Sequence, residues 1–254
     1  MKPSAERSEF DAYSGRGYSA GMEDGFKRLM GESSQIFLEH KAAWLLHLLA
    51  ANQPLWAGQK LLDFGCGTGA FLLALQSFGF TAHLEGCDVS RNMIAQAEGL
   101  SFPGPRPLLH LVLPGTLNFP AESFDIITAV CVFHHIEPSQ RPSIVAGMWR
   151  VLKPGGRIYV FEHNPWNPLT RMIVRRCLID QNAKLLTEGE LSRLLIASEF
   201  QKPQTASILF FPPRWKKLWP LEKHLSWLPV GGQYVTWAQK SRAPLLDKSS
   251  TCSR

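Results

Sequence analysis

The sequence predicts a doubly wound, mostly parallel α/β sheet of seven strands with helices on both faces, a three-layer α/β/α arrangement. Three observations carry that prediction. From Lys60 to Glu162, short apolar runs alternate with amphipathic helical stretches, and parallel strands need such crossovers because a hairpin cannot join them. A glycine-dense turn, Gly65-Cys66-Gly67-Thr68-Gly69, stands where the first strand meets its helix, a place where the backbone must bend sharply. The chain has 254 residues, of which 45% are hydrophobic, enough to bury one full α/β core.

The elements follow in order. From Gln35 to Asn52 the residues Ile36, Phe37, Trp44, Leu45, Leu48 and Leu49 recur at helical spacing, and Pro54 closes the stretch. Lys60 to Phe64 reads as the first strand and Ala70 to Phe78 as its helix. A second strand ends at Asp88, and Ser90 can cap the helix carrying Met93, Ile94 and Ala97. Leu108 to Leu113 and Phe124 to about Val132 are the third and fourth strands. The helix of Ile144, Val145, Met148, Trp149 and Leu152 ends at the turn Lys153-Pro154-Gly155-Gly156, and Arg157 to Phe161 is the fifth strand. A loop-rich insert, His163 to Leu186, precedes a capping box in which Thr187 and Glu190 open another helix. Ser207 to Phe211 and Gln233 to Gln239 complete the strands. The expected organisation is a helical cap over 1–58, a ligand-binding core over 59–162, inserts and last strands over 163–240, and a flexible tail over 241–254.

Composition removes several function classes. Lys and Arg outnumber Asp and Glu by 27 to 21, a formal charge of +6, far from the dense basic stripe of a nucleic-acid binder. The five cysteines, Cys66, Cys87, Cys131, Cys177 and Cys252, form no C-x-x-C pair, which suits reduced thiols in a cytoplasmic protein. Met1 to Phe10 is polar and charged, unlike a signal peptide. No apolar run reaches the roughly 18 residues that a membrane span needs. A soluble protein is expected.

The chemistry-bearing motifs share one edge. An acid at the end of the second strand, Asp88, follows the glycine turn by about twenty residues, where it can accept hydrogen bonds from both hydroxyls of a ribose. Gly65, Gly67 and Ala70 also satisfy the looser G-x-G-x-x-A dinucleotide pattern, so the turn by itself leaves an NAD-dependent enzyme open. Asp63 just before the first glycine, the pair His134-His135 after the fourth strand and Leu152-Lys153-Pro154-Gly155-Gly156 before the fifth narrow the choice. With these motifs in this order, residues Gly31 to Glu162 resemble the class I S-adenosylmethionine-dependent methyltransferase family, in its small-molecule branch. The helix entry Gly31-Glu32-Ser33-Ser34, leading to Phe37 and Lys41, is similar to one subgroup.

The resemblance implies a Rossmann-like fold, S-adenosylmethionine as cofactor and S-adenosylhomocysteine as product. It implies that the backbone around Gly65, Cys66 and Gly67 holds the methionine part, that Asp88 binds the ribose, that Val89 and Met93 flank the adenine with Gly115 and Thr116 along its edge, and that Asp63, Thr68, Gly69 and Val130 also belong to the cofactor site. One departure stands out: Leu113-Pro114 occupies the place where relatives often carry an acid. Methyl transfer is a displacement that mainly needs alignment and exclusion of water, and a hydroxyl nucleophile needs a base as well. His163, at the end of the fifth strand, is the first candidate, with His134 and His135 behind it. No ligand spacing for a metal is present, so none is expected.

Three segments should overhang the active edge and choose the acceptor. They bring Tyr13 and Tyr18 from the N-terminus, Trp166 and Arg171 from the insert, and Trp215 from the 212–232 stretch. Their aromatic and basic character suits a small molecule with an apolar body and an anionic group. The alternatives are a membrane-surface methyltransferase of a lipid-linked substrate, with 212–232 as an interfacial patch, and a non-catalytic nucleotide-binding scaffold. A nucleic-acid partner is not expected, and the sequence carries no sign of oligomeric state.

Overall fold

The structure, a computed structural model, describes residues 34–51, 58–177, 180 and 182–242. Seven strands form one sheet: β1 (Lys60–Phe64), β2 (His83–Asp88), β3 (Leu108–Leu111), β4 (Phe124–Val130), β5 (Leu152–His163), β6 (Phe200–Ile208) and β7 (Gln233–Lys240). Their order is β3-β2-β1-β4-β5-β7-β6. The first five run parallel, and β7 lies antiparallel to both β5 and β6.

Both faces of the sheet are covered, so the central strands are apolar on both sides rather than alternating with polar residues. Leu61, Tyr159 and Phe161 point into one core, which α1 (Ser34–Ala50) and α2 (Ala70–Ser77) close. Their chain neighbours Leu62, Ile158 and Val160 point into the other, which α4 (Arg141–Val151) and α6 (Glu188–Ala197) close. The twofold alternation of a strand therefore sorts consecutive residues into two cores. α3 (Arg91–Glu98) begins where Ser90 accepts the Met93 N–H, as its cap position predicts. Thr187 and Glu190 complete both bonds of the capping box on α6.

Three local expectations change, and the 212–232 stretch, left without an element in the sequence, gains two. β5 starts at Leu152, directly after α4, and the Lys153–Gly156 stretch is a bulge inside the strand rather than a turn before it. The insert is not all loop: α5 (Pro168–Arg176) lies in it, with Asn167 accepting the Thr170 N–H and Pro168 at the first helical position. Asn-Pro is a helix-start signal as well as a turn signal. The 212–232 stretch holds a 3-10 turn (Lys216–Leu218) and α7 (Trp219–Leu225). β6 ends at Ile208 instead of spanning Ser207 to Phe211. The reason is a buried carboxylate: Glu222 accepts the N–H groups of Leu209, Phe210 and Phe211 at 3.0, 3.0 and 3.2 Å, taking donors that a strand would have used. His40 on α1, at 2.8 Å, and Trp44 at 3.4 Å reach the same carboxylate.

Candidate active site

The carboxyl ends of β1, β2, β4 and β5 surround one cavity of about 430 Å³, within the roughly 300–1,000 Å³ of small-molecule sites. One end lies over β1 and β2. Here Gly65 has φ +69°, and a Cβ on it would stand 2.6 Å from Val132 Cγ2. Only glycine gives both the left-handed backbone and that approach. Gly67, at φ +52°, would aim a Cβ into open space, so its backbone is bare toward the cavity. Its N–H donates to Asp88 Oδ2 at 2.9 Å, and the Ser90 N–H donates to Oδ1 at 2.8 Å. Two backbone donors thus fix the Asp88 carboxylate while it still lines the cavity. Beneath the turn, Asp63 is buried and accepts from Thr128 Oγ1 at 2.7 Å. Burial raises its pKa to about 7, against that hydrogen bond.

The other end lies over β4 and β5 and is built from ionisable side chains. Glu162, fully buried, accepts the Val132 and Phe133 N–H groups at 3.0 and 2.7 Å and meets His134 Nδ1 at 2.6 Å. Burial disfavours charge on His134, but Glu162 and Asp180 outweigh it and raise the pKa to about 9. Asp180 Oδ1 lies 3.5 Å from His134 Nε2 and 3.4 Å from His135 Nε2. His135 and His163 are both pushed down to about 4 by burial and by the charge on His134. They are neutral near pH 7. His163 Nδ1 faces Gln233 Nε2 at 3.3 Å.

Of the sequence-predicted residues, Asp63, Gly65, Cys66, Gly67, Thr68, Asp88, Val89, Met93, Gly115 and Val130 line the cavity, as do His134, His135 and His163. Gly69 does not. It leads into α2, and a Cβ there would meet Ala97 at 3.0 Å. Thr116 turns its hydroxyl onto the Leu113 carbonyl and leaves the wall to Gly115. Trp166, Arg171 and Trp215 stand exposed on the surface away from the cavity wall. Tyr13 and Tyr18 lie outside the described residues. The cavity residues Asp180, Gln233, Gln140 and Cys131 were not foreseen, since they come from scattered positions without shared spacing. His134, His135 and Asp180 bring three potential ligand atoms within 4.8 Å of one another, a juxtaposition that spacing along the chain did not reveal.

Residues 62–160 match the family described as methyltransferase domain. That match, the methyltransferases among the relatives and the seven-stranded fold together support a class I S-adenosylmethionine-dependent methyltransferase family for this chain. Among curated proteins, the 27-O-demethylrifamycin SV methyltransferase of Amycolatopsis mediterranei is 28% identical over 155 residues, 57% of this chain and 56% of that protein. A phosphoethanolamine N-methyltransferase of Arabidopsis thaliana is 33% identical over 112 residues, 42% of this chain and 21% of its own length. The chain spans about half the length of the curated relatives it matches first, between 45% and 56%. Among solved structures, an S-adenosylmethionine-dependent methyltransferase from Thermotoga maritima superposes with a TM-score of 0.58 at 22% identity, over 87% of this chain and all of that one. A phosphoethanolamine N-methyltransferase from Haemonchus contortus, solved with phosphomonomethylethanolamine and S-adenosylhomocysteine, gives 0.56 at 18% identity, over 87% and 60% of the two chains. At these identities the structures are likenesses of fold. S-adenosylmethionine is the family's cofactor. No helix among the described residues is long and apolar enough to cross a membrane.

Proposed function

We propose that this chain transfers a methyl group from S-adenosylmethionine to a hydroxyl of a small molecule that has an apolar body and an anionic group. The observation that carries the reading is a single cavity joining a backbone-held Asp88 and a bare glycine turn to two neutral histidines. The residues fit the cofactor: Asp88 would accept the ribose hydroxyls, the Gly65–Gly67 backbone would run along the methionine part, and Val89 and Met93 would flank the adenine. When bound, S-adenosylmethionine supplies an electrophilic methyl group on a cationic sulfur. The chain's own task is to align the acceptor, keep water out and take the hydroxyl proton. His163 and His135 are neutral near pH 7 and line the cavity, so each is in the form that accepts a proton, although their shift to about 4 makes each a weaker base than an ordinary imidazole. His134 already holds one at that pH, so it serves as the buried cation between Glu162 and Asp180. An oxygen acceptor is also the one given in the name of the Amycolatopsis relative.

Isothermal titration with S-adenosylmethionine, S-adenosylhomocysteine and NAD in parallel tests the reading. Binding of both adenosyl ligands in the micromolar range, with none for NAD, is expected. Silence toward both adenosyl ligands in a folded sample would overturn it. In a hydroxyl-acceptor screen, His163→Ala should lose most turnover while keeping cofactor affinity.

A surface observation favours a second reading, a lipid-linked acceptor reached from an anionic membrane. Trp166, Leu169, Met172, Trp227 and Val230 are all exposed. Asn164 and Asn167 tie the two loops together through the Pro229 and Val230 carbonyls at 3.1 and 2.8 Å. Arg171, Arg175 and Arg176 are exposed on α5 between them. Sedimentation with anionic but not zwitterionic vesicles would support this, and equal recovery in the supernatant of both would remove it.

A further inference from the structure

α1 contributes four residues to the cavity wall, Ser34, Phe37, Leu38 and Lys41. The first three need no explanation, since a mixed polar and apolar wall is ordinary. Lys41 does. It is 3% exposed, yet among the described residues its ammonium makes no hydrogen bond and no ion pair. Lysine is almost never buried to that degree unless it is paired, because an ammonium taken from water without a partner costs several kcal/mol.

Its surroundings sharpen the problem. The electrostatic influence of Lys41 falls on the Cys131 thiol and on His163, which puts its charge at the β4–β5 end of the cavity. Neither neighbour offers a counter-charge. Burial keeps the Cys131 thiol protonated up to about 12, and His163 is neutral near pH 7. The nearby carboxylates are engaged elsewhere: Glu162 with His134 and two backbone N–H groups, and Asp180 with His134 and His135. Among the described residues, then, no counter-charge meets Lys41, and its ammonium faces the cavity.

We propose that Lys41 is an oxyanion receptor, holding a carboxylate or phosphate of the ligand that lies across the β4–β5 end of the cavity. The inference rests on the methyltransferase reading, and that oxyanion has two sources there: the carboxylate of the cofactor's amino-acid end, or the anionic group of the acceptor. An ammonium already positioned in the cavity wall favours such a group because it offers charge-assisted hydrogen bonds without having to be ordered on binding.

The test uses the full chain with Lys41→Met and Lys41→Arg. Titrations with S-adenosylhomocysteine and with methylthioadenosine, which lacks the amino-acid end, read the cofactor source. Benzoate and phenyl phosphate titrated into protein saturated with S-adenosylhomocysteine read the acceptor source. Weakening of S-adenosylhomocysteine by about ten- to hundredfold in Lys41→Met, with methylthioadenosine unchanged, assigns the receptor to the cofactor carboxylate. Unchanged S-adenosylhomocysteine with loss of benzoate or phenyl phosphate binding assigns it to the acceptor. Lys41→Arg should retain at least part of either affinity. The ligand-free Lys41→Met protein should melt no lower than the parent, whereas replacing a lysine that holds the fold together would lower its melting. Equal affinities for every probe in parent and Lys41→Met overturn the receptor while leaving the methyltransferase reading intact. Failure of the parent to bind S-adenosylhomocysteine overturns both.

Discussion

The two ends of the cavity are built by opposite means. Over β1 and β2 the wall is mainly backbone: the Gly65–Gly67 turn and one carboxylate, Asp88, which two N–H groups hold in place. Over β4 and β5 it is mainly ionisable side chain, with Glu162, His134, Asp180, His135, His163 and Lys41 gathered in the interior. Backbone can grip a ligand's invariant part without any desolvated charge. Buried side chains cost stability but give a particular pattern of charge and proton acceptors, which is what distinguishing one acceptor from another requires. On the proposed function, the first end takes the shared cofactor and the second the substrate.

If that contrast is right, mutations at the two ends should separate stability from affinity. The largest effect is expected for Glu162→Ala, which leaves the buried His134 with Asp180 as its remaining carboxylate and frees two backbone donors. A loss of about 3–5 kcal/mol in chemical denaturation is expected, and a loss under 1 kcal/mol would show that this end is not held together by its ion pair. Next comes Asp88→Ala, which should weaken S-adenosylhomocysteine by about 1.5–3 kcal/mol with little change in melting; unchanged affinity in titration would break the assignment of that end to the ribose. The third effect is on pH. His134 has a folded pKa of about 9 against an ordinary 6.5, so the stability it contributes is fully present below 6.5 and is lost as pH rises through 9. His135 and His163, pushed down to about 4, act in the other direction and withdraw stability as pH falls from 6.5 toward 4. Melting followed from pH 6.5 upward should decline, and His134→Asn should flatten that decline. The smallest effect is expected for Trp166→Ala, Arg171→Ala and Trp215→Ala, each within about 0.5 kcal/mol in stability and without change in S-adenosylhomocysteine affinity.

The same contrast explains what could be read from the chain. The β1–β2 end lies within about twenty-five residues, and its strand, glycine turn, helix and acid each leave a local mark, so Gly65, Gly67 and Asp88 were legible. The β4–β5 end draws on positions 41, 131, 134, 135, 162, 163, 180 and 233, brought together only by the sheet order. His134 and His163 stood out because histidines after strand ends are conspicuous. Asp180 left no such mark, nor could burial of Lys41 be inferred from a helix that also carries His40 and Glu39. The overhanging aromatics differ for a related reason: Trp166 and Trp215 have the composition of a pocket yet stand exposed off the cavity wall, and composition does not say which way a side chain faces. Glu222 altered β6 in the same hidden manner, from a helix that the tryptophan-rich stretch did not advertise.

That carboxylate also bears on traffic through the cavity. Glu222 gathers donors from α1 and from the chain after β6 onto one fully buried group. Swinging α1 aside would strip His40 and Trp44 from it and leave a negative charge in a dry place. Hydrogen exchange in α1 should accordingly slow and quicken together with that of Leu209, Phe210 and Phe211, as one opening unit. On that account the helix that carries Lys41 acts as a wall of the chamber rather than its door.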